Sequence, residues 1–297
     1  MRLRESVEYL PARAAEVALA ALPRALSDRF GAAAGSAARM LGTRRDVVEK
    51  QISESFPGQS EAWVSAVARD CYRHFGREIG TIARIGKRGG DILLGDMARG
   101  TDAVDLHREV TQGSGAIIVT GHIGNWEAAG AYLAAAGLPM AAVVKRQRNR
   151  AFNRRMIETR RRCGIEPIYM QDARTRIPEA LREGKTVALV ADQDAGERGV
   201  FVPFMGREAS TFRGPARLAL SQDVPLFFGA ALRSERGYSA VLEPVERPAD
   251  RGDAELEFTR RWVGRLEAHV RRHPQQYFWF HRRWKTRPPG TTAGGGR

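Results

Sequence analysis

Cysteine is nearly absent from this chain: Cys71 and Cys163 are the only two in 297 residues, and both fall within helical patterns. So few thiols imply no disulfide framework and no cysteine metal cluster. Both read as small core residues in a reducing compartment. Long apolar runs are missing as well. No stretch reaches the ~18 uninterrupted apolar residues that a membrane span needs. The most apolar early stretch, 12–26, is broken by Arg13, Glu16, Pro23 and Arg24. It also lacks the small-residue cleavage site of a signal peptide. A helix lying on a membrane surface stays open. Acidic residues are scarce: 34 Asp plus Glu stand against 48 Lys plus Arg, a net charge of +14. Such an excess favours polyanionic partners, whether nucleic acid, anionic lipid headgroups or acidic proteins, and does not choose among them.

What is present is an α/β pattern behind a helical opening. Residues 1–85 read as helices. Pro11 suits a first turn, Pro23 ends or kinks a helix, and Ser60 is an N-cap. Trp63, Val67, Cys71, Tyr72, Phe75 and Ile79 recur at helical spacing and read as core. Lys87 to Asp91 is a loop. Beyond it, strands at 116–121, 140–144, 165–170 and 186–191 alternate with helices at 125–137, 149–163 and 174–183. Then come a strand-like 200–204, a helix near 213–222, strands at 225–232 and 238–245, and a helix at 254–272. Regular alternation of this kind predicts a largely parallel mixed sheet flanked by helices. The organisation expected is a helical, membrane-surface-associating region (1–85), an α/β core (86–288) and a tail (289–297), disordered over 291–297.

Gly121-His122-Ile123-Gly124-Asn125-Trp126-Glu127 carries the chemistry. It joins the apolar run Ala116 to Thr120 to an alanine-rich helix, so a histidine and a carboxylate meet at the carboxyl end of a strand, where α/β proteins bind ligands. Gly121 and Gly124 permit a tight turn, and Asn125 is an N-cap that puts Trp126 and Glu127 in the first helical turn. A histidine there can take a proton near neutral pH, with a neighbouring carboxylate fixing its tautomer. Zinc is the competing use of His and Glu, but the other histidines, 74, 107, 269, 273 and 281, give no third ligand at a suitable spacing. No metal and no cofactor are expected.

Asp192-Gln193-Asp194 ends another strand and is either a polar turn or a second face of the same crevice. Arg146, Arg148, Arg150, Arg154, Arg155, Arg160, Arg161 and Arg162 put eight arginines in 17 residues. They form a solvated face or an anion-binding wall, and arginine suits carboxylate and phosphate. Tyr277 to Lys285 mixes aromatic and basic residues, as core-plus-phosphate contacts or as an interfacial belt would.

Several of these segments together resemble the lipid A biosynthesis lauroyl/myristoyl acyltransferase family. Gly121 to Glu127 is similar to its His-x4-Asp/Glu motif. Asp192 to Asp194 with Gly199 to Gly206 resembles its second block, and Phe278 to Pro288 its closing signature. The resemblance implies transfer of an acyl chain from a thioester, on acyl carrier protein or CoA, to a hydroxyl of a phosphorylated glycolipid. It implies His122 as general base, Glu127 as its orienting partner and Asp192 as a further acid. An active-site arginine falls within Arg160–Arg162, with Arg161 favoured over Arg160. Asn125, Trp126, Gly124, Gln193 and Arg146 complete the expected substrate contacts, with N–H groups near Gly124-Asn125 or an arginine as oxyanion donors. No serine or cysteine nucleophile stands in the motif, so direct transfer is expected. Phosphatidylinositol mannoside acyltransferases are close relatives with the same motifs. The chain is expected to sit peripherally on the cytoplasmic face of the inner membrane, on an anionic lipid surface. Two rivals are a basic nucleic-acid-binding protein, against which no known motif is found, and a degenerate lipid-binding scaffold, against which the His122-Glu127 pair argues.

Overall fold

The computed structural model describes residues 3–98, 100–249 and 252–290, so the tail expected to be disordered, 291–297, lies outside the described residues. Four helices open the chain: α1 (Leu3–Ala21), α2 (Arg24–Met40), α3 (Arg45–Ser55) and α4 (Glu61–Arg88). Pro23 separates the first two. Pro11 falls inside α1 rather than in a first turn, because the helix already begins at Leu3. Ser60 caps α4, its Oγ accepting from the Trp63 N–H at 3.2 Å. Helices α2 and α4 touch backbone to backbone. A Cβ on Gly31 would lie 2.3 Å from the Gly76 carbonyl oxygen, and one on Gly76 would lie 2.0 Å from that of Gly31. Only glycine allows such an approach.

The rest of the chain alternates strands and helices: β1 (Met97–Ala98), α5 (Gly100–Thr111), β2 (Ala116–Thr120), α6 (Trp126–Ala135), β3 (Met140–Val144), α7 (Arg150–Arg162), β4 (Ile165–Tyr169), α8 (Ala173–Arg182) and β5 (Thr186–Val190). It continues with β6 (Val200–Phe204), β7 (Arg207–Thr211), α9 (Gly214–Ser221), β8 (Leu226–Arg233), β9 (Tyr238–Val245) and α10 (Ala254–Arg272). One seven-stranded sheet has the order β1-β9-β8-β2-β5-β3-β4. Strands β8, β2, β5, β3 and β4 run parallel, and β9 pairs antiparallel with β8. This is the mixed, largely parallel sheet expected. Strands β6 and β7 form a separate hairpin, turning at Met205-Gly206 with φ of 52° and 76°.

All five residues of β2 are buried. That suits a parallel strand covered on both faces. On one face lie Trp262, Val263 and Leu266 of α10 with Ala216 and Ala219 of α9. On the other lie Ile85 of α4 and Ala128, Ala131 and Tyr132 of α6. Each large apolar side chain so buried contributes about 1.5–3 kcal/mol. The chain leaves β2 toward the α6 face and leaves β5 toward the α9 face. Between these neighbouring strands the connections diverge at their carboxyl ends, the position at which open α/β sheets bind ligands. No helix among the described residues is long and apolar enough to cross a membrane.

Candidate active site

The turn after β2 is held on two sides. The Gly124 N–H donates to the Gln276 carbonyl at 2.9 Å, and the Asn125 N–H to the Ala231 carbonyl at 2.9 Å. The Phe278 N–H donates to the His122 carbonyl at 2.8 Å. Gly124 has φ of 58°, and a Cβ there would lie 2.0 Å from the Ala231 oxygen, so the left-handed turn and the close approach both require glycine. Asn125 caps α6, accepting from the Ala128 N–H at 2.9 Å. One expectation is corrected here: the Gly124 and Asn125 N–H groups already have carbonyl partners and are not free to bind an oxyanion.

His122 projects from this turn toward the end of β5. Its Nδ1 lies 2.6 Å from Asp192 Oδ1, and its backbone N–H donates to Asp192 Oδ2 at 2.9 Å. The carboxylate is sealed, with its side chain 3% exposed, whereas the imidazole is 19% exposed. With Asp192 ionised, Nδ1 carries the proton and Nε2 keeps its lone pair. Gln193 Nε2 lies 3.5 Å from that Nε2. The Trp126 ring stands edge-on to the imidazole at 4.7 Å between centroids, and Phe278 closes another side at 5.7 Å. Burial alone would lower the His122 pKa; the charge and hydrogen bond of Asp192 outweigh it and hold the pKa above its ordinary value. For Asp192, burial acts upward, and the His122 interactions with the nearby Arg283 charge bring its pKa below the ordinary value. Arg283 is itself buried, donating to the Ser210 carbonyl and to Thr211 Oγ1. The Tyr277 phenol is raised well above its ordinary range, first by burial and then by Asp192.

Glu127 makes no hydrogen bond to His122, which corrects the pairing expected from the motif; its charge only adds, after Asp192, to the rise in the His122 pKa. It forms a two-pronged ion pair with Arg160, whose Nε donates at 3.1 Å and whose Nη2 completes the fork. Both side chains are 15% exposed. The carboxylate five residues along the chain therefore turns toward α7, and the one from a different strand holds the imidazole. Of the expected arginines, the one that meets this carboxylate is Arg160, not Arg161. Successive helical residues point about 100° apart, so Arg160 faces Glu127 while Arg161 is exposed. Arg146 is exposed and lies over the Tyr169 ring at 4.8 Å. The expected arginine wall is thinner than its sequence suggests. Arg155 pairs with Glu16, and Arg162 donates to the Gly86 carbonyl.

A buried network behind the turn was missed. Glu78 of α4 accepts from Asn125 Nδ2 at 2.6 Å, from the Tyr238 hydroxyl at 2.5 Å and from Arg233 Nε at 2.5 Å. Arg233 also reaches Asp28 of α2 at 3.0 Å, and His74 Nε2 lies 3.3 Å from the Gly124 carbonyl. The available signal was a charge on the inward stripe of α4, where Val64, Val67, Cys71, His74 and Glu78 are all buried. Beside Trp126, between α6 and the sheet, lies an apolar cavity of about 40 Å³, walled by Ile118, Ala129, Leu133, Met140 and Ala231. No group of three His, Cys, Asp or Glu side chains among the described residues could hold a metal ion.

The sequence pattern of the bacterial lipid A biosynthesis acyltransferases matches residues 6–286. The chain belongs to that family. A phosphatidylinositol mannoside acyltransferase of Mycolicibacterium smegmatis is 26% identical over 195 residues, covering 64% of each chain. The lipid A biosynthesis lauroyltransferase of Escherichia coli is 35% identical over 120 residues, 39% of each chain. Lipid A biosynthesis acyltransferase 1 of Shigella flexneri is 26% identical over 285 residues, 93% of this chain and 86% of that one. The match to the first two therefore spans 64% and 39% of their lengths.

Proposed function

We propose that this protein is a glycolipid acyltransferase that moves a fatty acyl chain from a thioester, on acyl carrier protein or CoA, to a hydroxyl of a phosphorylated glycolipid. A lipid A precursor is the acceptor this reading favours. The observation that carries the mechanism is the 2.6 Å contact between His122 Nδ1 and Asp192. It leaves Nε2 to accept the hydroxyl proton as the alcohol oxygen attacks the thioester carbonyl. Asp192 stabilises the imidazolium that results. The tetrahedral intermediate then collapses, the C–S bond breaks, and Nε2–H returns the proton to the leaving thiolate. General-base help of this kind is worth ~10²–10⁴-fold in rate.

Donors for the oxyanion come from the start of α6. The Trp126 and Glu127 N–H groups have no preceding helical carbonyl, and the helix dipole adds positive potential there. Arg160, held by Glu127, supplies a cation for acceptor phosphate or for the developing negative charge. Gln193 lies within reach of the reacting hydroxyl beside Nε2. The cavity beside Trp126 is little larger than one water's ~30 Å³ share of liquid. A long chain does not fit it as it stands; each methylene buried there would contribute ~0.8 kcal/mol. The net charge of +14 supports peripheral attachment to the anionic cytoplasmic face of the inner membrane.

A phosphatidylinositol mannoside is the second acceptor reading, favoured by the Mycolicibacterium relative. The test pairs a labelled acyl thioester with each candidate lipid and reads the product mass, which reports acceptor and chain together. His122→Ala is expected to lower transfer by at least 10²-fold with the circular dichroism spectrum unchanged. Undiminished turnover by that variant overturns the base assignment.

A further inference from the structure

The last turns of α4 carry a polar face that the proposed reaction does not use. Thr81, Arg84 and Arg88 stand three and four residues apart, so they share one side of the helix. They line a cavity of about 360 Å³, walled also by the link between α1 and α2 and by the segment 91–96. Arg84 is 9% exposed. Its one hydrogen bond among the described residues is to Thr81 Oγ1, at 3.2 Å. That oxygen is already in contact with Arg233 Nη2 and with the Tyr238 hydroxyl, each at 3.0 Å. A guanidinium carries five N–H donors, so Arg84 is buried with most of its donors unused by the protein.

Nor is its charge matched. The acid in the cavity wall is Asp96, and it pairs with Arg24 at 2.8 Å. Asp28 stands behind, 3.0 Å from Arg233 and 3.8 Å from Arg24. No carboxylate among the described residues lies within ion-pair distance of Arg84 or Arg88. Burial outweighs the attraction of Asp28 and lowers the Arg84 pKa. Helix α2 adds potential of the same sign. It begins at the cavity, with Pro23 and Arg24 in the wall. No side chain caps it and no acid stands in its first turn, so the positive end of a 17-residue helix stands beside the three arginines. The negative end of α4 is offset from elsewhere, by Arg162 donating to the Gly86 carbonyl.

We propose that this cavity is a binding site for a phosphate group, free or borne on a small ester, with Arg84 and Arg88 holding its oxygens and the start of α2 completing the cradle. Arginine forks match phosphate oxygens bidentately. A buried guanidinium with no carboxylate gains from an incoming anion what the protein does not supply. The volume leaves room for an organic part, since small-molecule sites run to ~300–1,000 Å³, and Leu22 and Ile92 give that part an apolar wall. The site is separate from the His122 turn and adjoins its support. Thr81 Oγ1 and Glu78 share the Tyr238 hydroxyl, and Glu78 holds Asn125. Binding here is independent of the acyltransferase reading and is measured without turnover.

The full chain, in a chloride buffer free of phosphate, is titrated by calorimetry with orthophosphate and with glucose 1-phosphate, and Tm is followed in parallel. A saturable one-site isotherm is expected, with Tm rising as the site fills. Tighter binding of glucose 1-phosphate assigns the site to an ester; equal binding assigns it to free phosphate. Arg84→Gln should weaken binding about 10–100-fold, the loss of a charge-assisted pair. Arg84→Lys, which keeps the charge and loses the fork, should fall between the two. Stability supplies a readout that a structural arginine would not. Without phosphate, Arg84→Met should melt no lower than the native chain, because it removes a buried charge that has no partner, and phosphate should no longer raise its Tm. Arg160→Gln should leave the isotherms unchanged. The proposal is overturned by the absence of any isotherm, by binding that Arg84→Gln leaves intact, or by a response that sodium chloride reproduces at equal ionic strength. It is also overturned if Arg84→Met melts lower in every buffer yet still responds to phosphate, or if Arg160→Gln abolishes binding, which would put the anion beside Glu127.

Discussion

Replacing Asp192 by asparagine is the most searching perturbation of the site. The side chain keeps its volume and its place at the end of β5. It loses the charge, and an asparagine amide facing Nδ1 favours the tautomer whose proton sits on Nε2, the wrong one for a base. Two hydrogen bonds to an ionised carboxylate are affected, at 2.6 Å and 2.9 Å. Bonds to charged groups contribute about 1.5–3 kcal/mol each. If both are weakened as imidazolium forms, the barrier rises by about 3–6 kcal/mol, a loss of ~10²–10⁴ in kcat/KM. The pH profile adds a signature that loss of packing would not produce. In the intact protein Asp192 holds the His122 pKa above its ordinary value. In Asp192→Asn burial is opposed only by the smaller effect of the Glu127 charge, so the acid limb of kcat/KM moves to lower pH while the plateau falls. Stability follows with definite signs. The raised His122 pKa contributes stability that is fully present below its ordinary value and is lost as pH rises through the folded value. The lowered Asp192 pKa contributes stability present above its ordinary value and lost as pH falls through the folded one. Asp192→Asn removes both, and Tm should vary less with pH at each end. Acyl transfer measured against pH, with Tm from the same buffers, checks all of this. A folded variant whose rate stays within about threefold, or whose acid limb does not move, refutes the reasoning.

Arg160→Gln, which breaks the fork to Glu127, should lower kcat/KM by ~10²-fold, and Arg161→Gln should stay within about twofold; the reverse order in steady-state assays would return the site to the residue the sequence favoured. Glu78→Gln should lower unfolding free energy by about 3–5 kcal/mol in urea titrations, because it leaves the buried Arg233 charge short of a partner. A loss under about 1 kcal/mol would mean that the network is dispensable.

The strands were legible where burial dictated them. Ala116 to Thr120 is a continuous apolar run because both faces of β2 are covered. Strand β7 was not legible: Arg-Glu-Ala-Ser-Thr has no strong apolar alternation and owes its shape to pairing with β6. At the site, His122 stood out because a glycine-bearing turn displays it. Its partner did not, since separation along the chain says little about distance across a sheet. Glu127 is five residues away and turns to α7, whereas Asp192 is 70 residues away and in contact. The arginine that meets Glu127 stands one position from the one the sequence favoured, about 100° of helix rotation that a run of three identical residues cannot reveal. Glu78 was hidden by its helix, where one acid among aromatics looks like surface until the far side proves to be full.

The glycine seam between α2 and α4 has a mechanical meaning. Gly31 and Gly76 press main chain on main chain, with no side chain between them to deform. Two helices seated that hard tilt as one plank, and the plank also carries Glu78, the brace behind the turn that displays the imidazole. Where the outer helix sits therefore fixes where the inner one sits, and with it the brace beneath the turn.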